Sequence, residues 1–305
     1  MQKAYITALY ALAQRDRNVV SLLTDSGTDY DELFARDFPN QCFNFGIGEE
    51  NVVAAAAGMA ACGKIPFVYT TGAFLAFRAM EFIRNDVCFQ NMSVKIVGMG
   101  SGLAWSTLGP SHHATEDISV LRALPNLTIL CPASPREAAK CVQAAYEIPG
   151  PVYIRMGMSN EREVYPEDYD YVPGRNRVIR EGGDLTIFVT GSVLSEVLDA
   201  AALLFAEGLD AAVVNVHTLK STDRQSIIDA AQTGKPILTV EEHNVEGGLG
   251  SIVADILADL GTGIRFRKIG IQDRFAIGYG TIAEVRRMNG LDAAGIRKAI
   301  REALS

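Results

Sequence analysis

Apolar residues alternate along the chain between short runs typical of buried strands and longer stretches with helical spacing. Residues 2–15 space their apolar side chains as an amphipathic helix does, and residues 18–23 (NVVSLL) form a run typical of a buried strand. The same alternation continues to residue 155. Because it is typical of parallel strands covered by helices, it predicts an α/β fold whose active edge lies at the carboxyl ends of the strands.

The alternation stops once and then resumes. Residues 157–182 are polar, rich in Tyr, Pro and charge, and have no sustained period, which predicts a surface linker. Strand and helix patterns return from residue 183 to residue 305. The sequence therefore predicts two domains, residues 1–156 and 183–305, each a mostly parallel sheet covered by helices.

Composition narrows the class of protein. The chain of 305 residues is 48% hydrophobic and 21% charged, and its formal charge of -8 comes without any run of basic residues, which argues against a nucleic-acid surface. No signal peptide is visible, and no apolar run approaches the roughly 20 residues of a membrane span. The five widely spaced cysteines lack a C-x-x-C pair, so we expect buried thiols in a reducing cytoplasm.

The first candidate for chemistry is the stretch FGIGEENVVAAAAGM at residues 45–59. It places Glu49 and Glu50 in the first turn of a predicted helix, just after a glycine-flanked turn. Acidic residues are favoured at helix N-termini in any case, so a capped core helix is one interpretation. A site is the other, because the small residues that follow let a backbone or a flat ligand approach closely.

Two further segments offer candidate side chains. The loop GPSHH at residues 109–113 follows a predicted strand and offers His112, whose imidazole suits proton transfer near neutrality or a structural role equally well. The segment GAFLAFRAMEFIRND at residues 72–86 forms an aromatic and thioether stripe, which packs in a core or stacks on a flat ring.

Two other groups carry less promise. The sequence Glu241-Glu242-His243 predicts a hydrogen-bonded cluster at a strand end, with a catalytic role as the alternative. His112 and His113 are adjacent and therefore do not predict a zinc site.

These motifs together resemble a known family. In order, G-I-G-E-E-N-V-V, G-A-F-L-A-F, G-P-S-H-H-A-T-E-D-I and P-V-Y-I-R, followed by T-V-E-E-H-N and G-G-L-G-S, resemble the pyrimidine-binding and C-terminal domains of transketolase over essentially the whole chain. Nowhere does the sequence contain the G-D-G and following Asn that hold magnesium and the diphosphate of thiamine diphosphate in that family. It therefore resembles the C-terminal subunit of a split transketolase.

The resemblance implies an activity and a partner. The activity is transfer of a two-carbon ketol unit from a ketose to an aldose through thiamine diphosphate. A separate N-terminal subunit would hold the diphosphate and Mg2+, in a heterotetramer with two copies of each chain, and this chain would ligate no metal.

The resemblance also implies residue roles. Glu49 matches the glutamate that hydrogen-bonds the cofactor's aminopyrimidine ring, and His112 matches a histidine that contacts substrate. The other matches are Phe77, which stacks on the pyrimidine, Phe74 and Met80, which line its pocket, and Asp25 and Arg155, which bind substrate.

Departures from the family pattern concern the substrate. Leu108 stands where transketolases have an aspartate that contacts an acceptor hydroxyl, and Gln2 stands where they have an arginine. The acids Asp29, Asp31 and Glu32 follow Asp25, where a phosphate site would need donors. We therefore expect a substrate that is less polar than the usual pentose phosphates, or differently charged.

Three alternatives remain from the sequence. The β subunit of a 2-oxo acid dehydrogenase and deoxyxylulose-phosphate synthase share this arrangement of domains and the glutamate. A noncatalytic scaffold that kept the fold is the third.

Overall fold

The computed structural model describes residues 1–25, 29–158 and 161–305, and residues 29–31 by their backbone alone. The elements of the first part are α1 (Gln2–Arg15), β1 (Val19–Leu23), α2 (Asp29–Asp37), β2 (Cys42–Asn44), α3 (Glu49–Ala61), β3 (Ile65–Thr71), α4 (Gly72–Arg78), α5 (Met80–Phe82), a π-helix (Ile83–Cys88), β4 (Lys95–Met99), α6 (Asp117–Leu121), β5 (Thr128–Leu130), α7 (Pro135–Glu147) and β6 (Val152–Met156). Those of the second part are β7 (Arg177–Arg180), β8 (Leu185–Thr190), α8 (Leu194–Ala206), β9 (Ala211–Asn215), β10 (Thr218–Lys220), α9 (Arg224–Gln232), β11 (Ile237–Asn244), α10 (Leu249–Leu260), β12 (Phe266–Ile271), α11 (Ile282–Met288) and α12 (Ala293–Leu304).

The strands form two sheets, which confirms the predicted α/β class. A seven-stranded sheet has the order β10-β5-β6-β4-β3-β1-β2, and a five-stranded sheet has the order β12-β11-β8-β9-β7. Within each sheet the pairs are parallel except at one edge, where β10 runs antiparallel to β5 and β7 runs antiparallel to β9. The carboxyl ends of β1, β2, β3 and β4 consequently lie along one edge.

Apolar side chains cover both faces of the first sheet. One face packs against α1 and α7, through residues such as Leu9 and Val142. The opposite face packs against α3 and the π-helix, and its apolar cluster continues through Ile118 to Val253 of α10. The two sheets therefore share one continuous buried core rather than two separate ones.

Two strands do not follow the predicted division at residues 156 and 183. β7 lies within the predicted linker, where it pairs with β9, and β10 comes from the second part of the chain but pairs with β5. Both are short edge strands whose pairing depends on contacts far along the chain, and polar local sequence does not announce such pairing. The exact domain boundaries remain a prediction.

Three other local features differ from the sequence expectations. The helix predicted across residues 73–89 breaks at Ala79, which has φ −90° and ψ 11°, and continues as α5 and a π-helix. The helix α11 was not predicted, although Thr281 and Glu284 form a capping box at its start. Cys62 is exposed because α3 ends just before it, whereas Cys88, Cys131 and Cys141 are buried as free thiols.

Lys95 is a fully buried cation at the start of β4. Its Nζ donates to the carbonyl oxygens of Ile148, at 2.7 Å, and Gly150, at 2.9 Å, just beyond the end of α7. Burial lowers the pKa of Lys95 to about 7, because a buried ammonium has lost its hydration. The folded protein therefore favours neutral Lys95 more strongly than the unfolded chain does.

Substitution Lys95→Met tests this pKa. A group whose pKa is lowered on folding stabilises the fold fully above its unfolded pKa and loses that contribution as the pH falls through about 7. From pH 7 to pH 9, the free energy of unfolding of the wild type should rise relative to that of Lys95→Met by about 2 kcal/mol. Urea unfolding of both proteins at several pH values measures this, and a difference independent of pH would contradict the lowered pKa.

Candidate active site

Glu49 is a buried carboxylate at the active edge of the first sheet. It begins α3 immediately after the turn that follows β2, and Gly46 adopts a φ of 68° in that turn. The residue is 2% exposed, and its Oε2 accepts a hydrogen bond of 2.6 Å from Nη1 of Arg78. Glu50 is only partly buried. The fold therefore distinguishes the two adjacent acids and turns Glu49 inward.

Aromatic side chains stand beside this carboxylate. β3 passes directly into α4 at Gly72, where an added Cβ would lie 3.4 Å from the carbonyl oxygen of Met99, so the helix starts tight against β4. Phe77 is 45% exposed, and Phe74 is partly buried with the Arg78 guanidinium 5.5 Å from its ring centroid. Met80 packs against the apolar core instead. The stripe thus divides into one core residue and two rings at the surface.

His112 completes the cluster from the loop after β4. Its ring meets that of Phe74 edge-on with centroids 5.0 Å apart, and Trp105 lies on another side at 6.2 Å. Its Nδ1 lies 2.9 Å from Oγ of Ser111, which holds the ring's orientation. The structure thus brings Glu49, Phe74 and His112, which are far apart in sequence, into one continuous row of contacts through Arg78.

Arg155 does not match its predicted role in binding substrate. It is 3% exposed, and its Nε donates to both carboxylate oxygens of Asp117, at 3.0 and 2.9 Å. Its Nη2 donates to the carbonyl oxygens of Ala114 and Glu242. The guanidinium is thus committed to internal acceptors on both domains and has no exposed face for a phosphate or sulfonate, so we correct this prediction.

Asp25 lies at the carboxyl end of β1 and is exposed, with an unusual φ of 52°. Its backbone N–H donates to Oδ1 of Asn44, which fixes the turn beside β2. The side chains of Asp29 and Asp31 lie outside the described residues, and Glu32 is exposed. A substrate role for Asp25 stays a prediction.

The cluster Glu241-Glu242-His243 is structural, as predicted. Glu241 is buried and accepts backbone N–H groups from Leu249 and Gly250 at the start of α10. Glu242 pairs with Arg286. Burial lowers the pKa of His243 to about 4, so its imidazole is neutral at physiological pH.

Sequence reasoning missed two polar residues near the site. Arg78 directly follows Phe77 in a motif that was otherwise interpreted, and its position one residue beyond an aromatic was the available signal. His113 is 3% exposed, and neither ring nitrogen has a hydrogen-bond partner among the described residues. Burial lowers the pKa of His113, so we treat it as neutral.

The described residues contain no group of three or more His, Cys, Asp or Glu side chains that could hold a metal ion. In the same described part of the chain, no helix combines the length and apolar character needed to cross a membrane.

Substitution Asp117→Asn tests the clasp formed by Arg155. The change leaves a buried guanidinium without its counterion, so the free energy of unfolding should fall by about 3 kcal/mol or more. Urea unfolding measures the loss. The control is Asp255→Asn, which breaks the exposed pair with Arg122 and should cost about 1 kcal/mol or less. Equal losses in the two variants would contradict the clasp.

Comparisons with known proteins place the chain in a family. The domain described as "Transketolase, pyrimidine binding domain" matches residues 1–163, and "Transketolase, C-terminal domain" matches residues 174–296. One of the two subunits of an apulose-4-phosphate transketolase from Actinobacillus succinogenes is 36% identical over 263 residues, which cover 86% of this chain and 85% of that protein.

Two more relatives show how the chain relates to longer proteins. A 1-deoxy-D-xylulose-5-phosphate synthase from Chlorobium luteolum is 37% identical over 99% of this chain but over only 48% of its own length. A solved structure described as "Split gene transketolase, inactive beta4 tetramer" is 38% identical, with a TM-score of 0.89, and the match covers 99% of this chain and 97% of that one.

Proposed function

The chain belongs to the transketolase family as the C-terminal subunit of a split, transketolase-type transferase, and from that premise we propose its reaction and its partner. Together with a separate N-terminal subunit, it transfers a two-carbon ketol unit from a ketose to an aldose. The contiguous row of Glu49, Phe74 and His112 carries this proposal. It joins a carboxyl group, an aromatic surface and an imidazole at the active edge of the sheet.

The residues at this edge fit the aminopyrimidine of thiamine diphosphate. A flat heteroaromatic ring needs an aromatic face to stack on and a polar group to orient it. Phe77 offers an exposed ring, Phe74 a neighbouring wall, and Glu49 a buried carboxyl group. When bound, the cofactor supplies a carbon nucleophile that attacks the substrate carbonyl and stabilises the resulting carbanion.

Glu49 and His112 have different roles in this proposal. Glu49 hydrogen-bonds the ring and, because it is fixed at the start of α3, holds the ring's orientation. His112 faces outward from its loop and handles a proton at a substrate hydroxyl or carbonyl oxygen. Its contact with Ser111 sets which ring nitrogen is free for that exchange.

The partner supplies what this chain lacks. The G-D-G and Asn signature is absent from the sequence, and the described residues form no cluster able to ligate a metal. We therefore assign the diphosphate and Mg2+ to the N-terminal subunit, in a heterotetramer of two copies of each chain. The site is complete only where the two subunits meet.

The substrate end of the site is depleted in charge. Leu108 is 44% exposed beside Trp105, in a loop whose residues 100–111 carry no charged side chain. Arg155, the one residue expected to bind a phosphate, is committed to Asp117. We propose an acceptor or donor less polar than the usual pentose phosphates, or differently charged.

Substitution Glu49→Gln tests the cofactor role. In complex with the N-terminal subunit, the variant should lose at least about a hundredfold in turnover, because an amide cannot exchange a proton with the ring. Glu50→Gln is the matched control and should keep activity close to wild type. Isothermal titration with thiamine diphosphate and Mg2+ separates binding from catalysis. A Glu49→Gln complex with wild-type rates would refute the assignment.

A substrate panel tests the charge-poor site. Turnover by the two-subunit complex should be higher with an unphosphorylated or differently charged sugar pair than with xylulose 5-phosphate and ribose 5-phosphate, because the loop offers no cation to a phosphate. Apulose 4-phosphate belongs in the panel, since a relative is named for it. If the pentose phosphates prove the best pair, the substrate proposal fails.

A further inference from the structure

Arg78 is the mobile member of its pair with Glu49. Its side chain is 45% exposed, whereas that of Glu49 is 3% exposed. Arg78 is the last residue of α4, directly before the break at Ala79, so no continuing turn of regular helix packs over it. The carboxylate is therefore fixed by the fold, and the guanidinium is free to leave it.

The guanidinium covers two groups that a flat ring would use. One N–H, on Nη1, contacts Oε2 of Glu49 at 2.6 Å, and the guanidinium carbon lies 5.5 Å from the centroid of the Phe74 ring. A planar cation between a carboxylate and an aromatic ring imitates the hydrogen bonding and stacking of a heteroaromatic ring. The guanidinium and such a ring would compete for the same surfaces.

Arg155 shows what a permanent pair looks like in the same molecule. Its Nε donates to both carboxylate oxygens of Asp117, and both side chains are buried, at 3% and 0% exposure. The pair of Arg78 and Glu49 instead rests on a single N–H and is open to solvent on the arginine side. Half-exposed ion pairs of this kind are weak, typically about 1 kcal/mol or less, so a ligand can displace them.

The chemistry of the carboxyl group gives the displacement a purpose. An ionised carboxylate only accepts hydrogen bonds, and it needs a proton before it can donate one to a ring nitrogen. An arginine on Oε2 holds Glu49 in the accepting form. When the arginine leaves, the carboxylate can take a proton from solvent, and the guanidinium keeps its own charge.

We propose that Arg78 is a gate on Glu49: it keeps the carboxylate paired and covered in the free subunit, and it is displaced when the cofactor's pyrimidine ring binds. The inference rests on the proposed function, because it takes the ring to be that of thiamine diphosphate. Arg78 is a positioning residue here, since it acts only through Glu49. The gate would keep the separate chain from presenting a proton-donating glutamate before its partner and cofactor arrive.

Carbodiimide labelling of the free chain tests the gate without cofactor or partner. A hydrophobic carbodiimide reacts with protonated carboxyl groups, and peptide mass spectrometry measures its addition to Glu49. In Arg78→Met, which keeps an aliphatic side chain without charge, labelling at pH 7 should be about three- to tenfold faster than in the wild type. The matched control Arg84→Met removes an exposed arginine of the π-helix, which contacts Asn85, and should leave the rate unchanged.

A pH series separates protonation from mere access. Easier access multiplies the labelling rate by the same factor at every pH, whereas loss of the cation moves the midpoint of labelling upward, by about half to one pH unit. Arg78→Lys keeps a cation and should stay closer to the wild-type midpoint than Arg78→Met does. A midpoint that is the same in the wild type and Arg78→Met would overturn the gate. Thermal melts verify that each variant is folded.

Cofactor binding gives a second, independent readout. Isothermal titration of the two-subunit complex should show Arg78→Met binding thiamine diphosphate with Mg2+ about three- to tenfold more tightly than wild type, because no pair has to be broken. Weaker or equal binding would overturn the gate and make Arg78 a supporting or neutral residue. If no complex binds the cofactor, the proposed function fails, while the labelling result still decides whether Arg78 controls Glu49.

Discussion

The buried ion pair of Arg155 and Asp117 ties the two domains together, and the geometry of the candidate site depends on it. Arg155 extends from β6 of the first sheet to Asp117 of α6, and it also donates to the carbonyl oxygen of Glu242 on β11 of the second sheet. Another of its hydrogen bonds reaches Ala114, two residues beyond His112. A buried charge has to be fully paired, so this guanidinium fixes the end of the histidine loop relative to both sheets.

The same edge combines a rigid group with a movable one. Glu49 is buried at the start of a regular helix, where its backbone is held by α3 and its side chain by the surrounding core. Arg78 reaches it from the end of a short helix and remains half-exposed. Rigid placement of the carboxyl group and loose placement of its counterion are what a site needs if it is to be completed by another subunit. The small side chains of α3 give that helix a low profile at this edge.

Much of the fold could be predicted because regular elements carry their own signals. The bounds of α7 and α10 follow from the sequence to the residue, since Pro135 begins the first and Gly261 ends the second in the left-handed conformation. The strands β7 and β10 could not be predicted, because each is an edge strand of three or four residues paired with a distant segment. The helix α11 did carry a capping signal at Thr281.

The sequence by itself determined the α/β class, the order of the main elements and the motifs that identify the family, because hydrophobic periodicity, caps and glycine turns are local properties. Only the tertiary structure decided what individual polar residues do. It turned Glu49 inward and left Glu50 at the surface, placed Arg78 on Glu49, and committed Arg155 to Asp117. The physical reason is that a charged side chain acquires its role from the partner that replaces its lost hydration, and these partners lie 29 and 38 residues away along the chain.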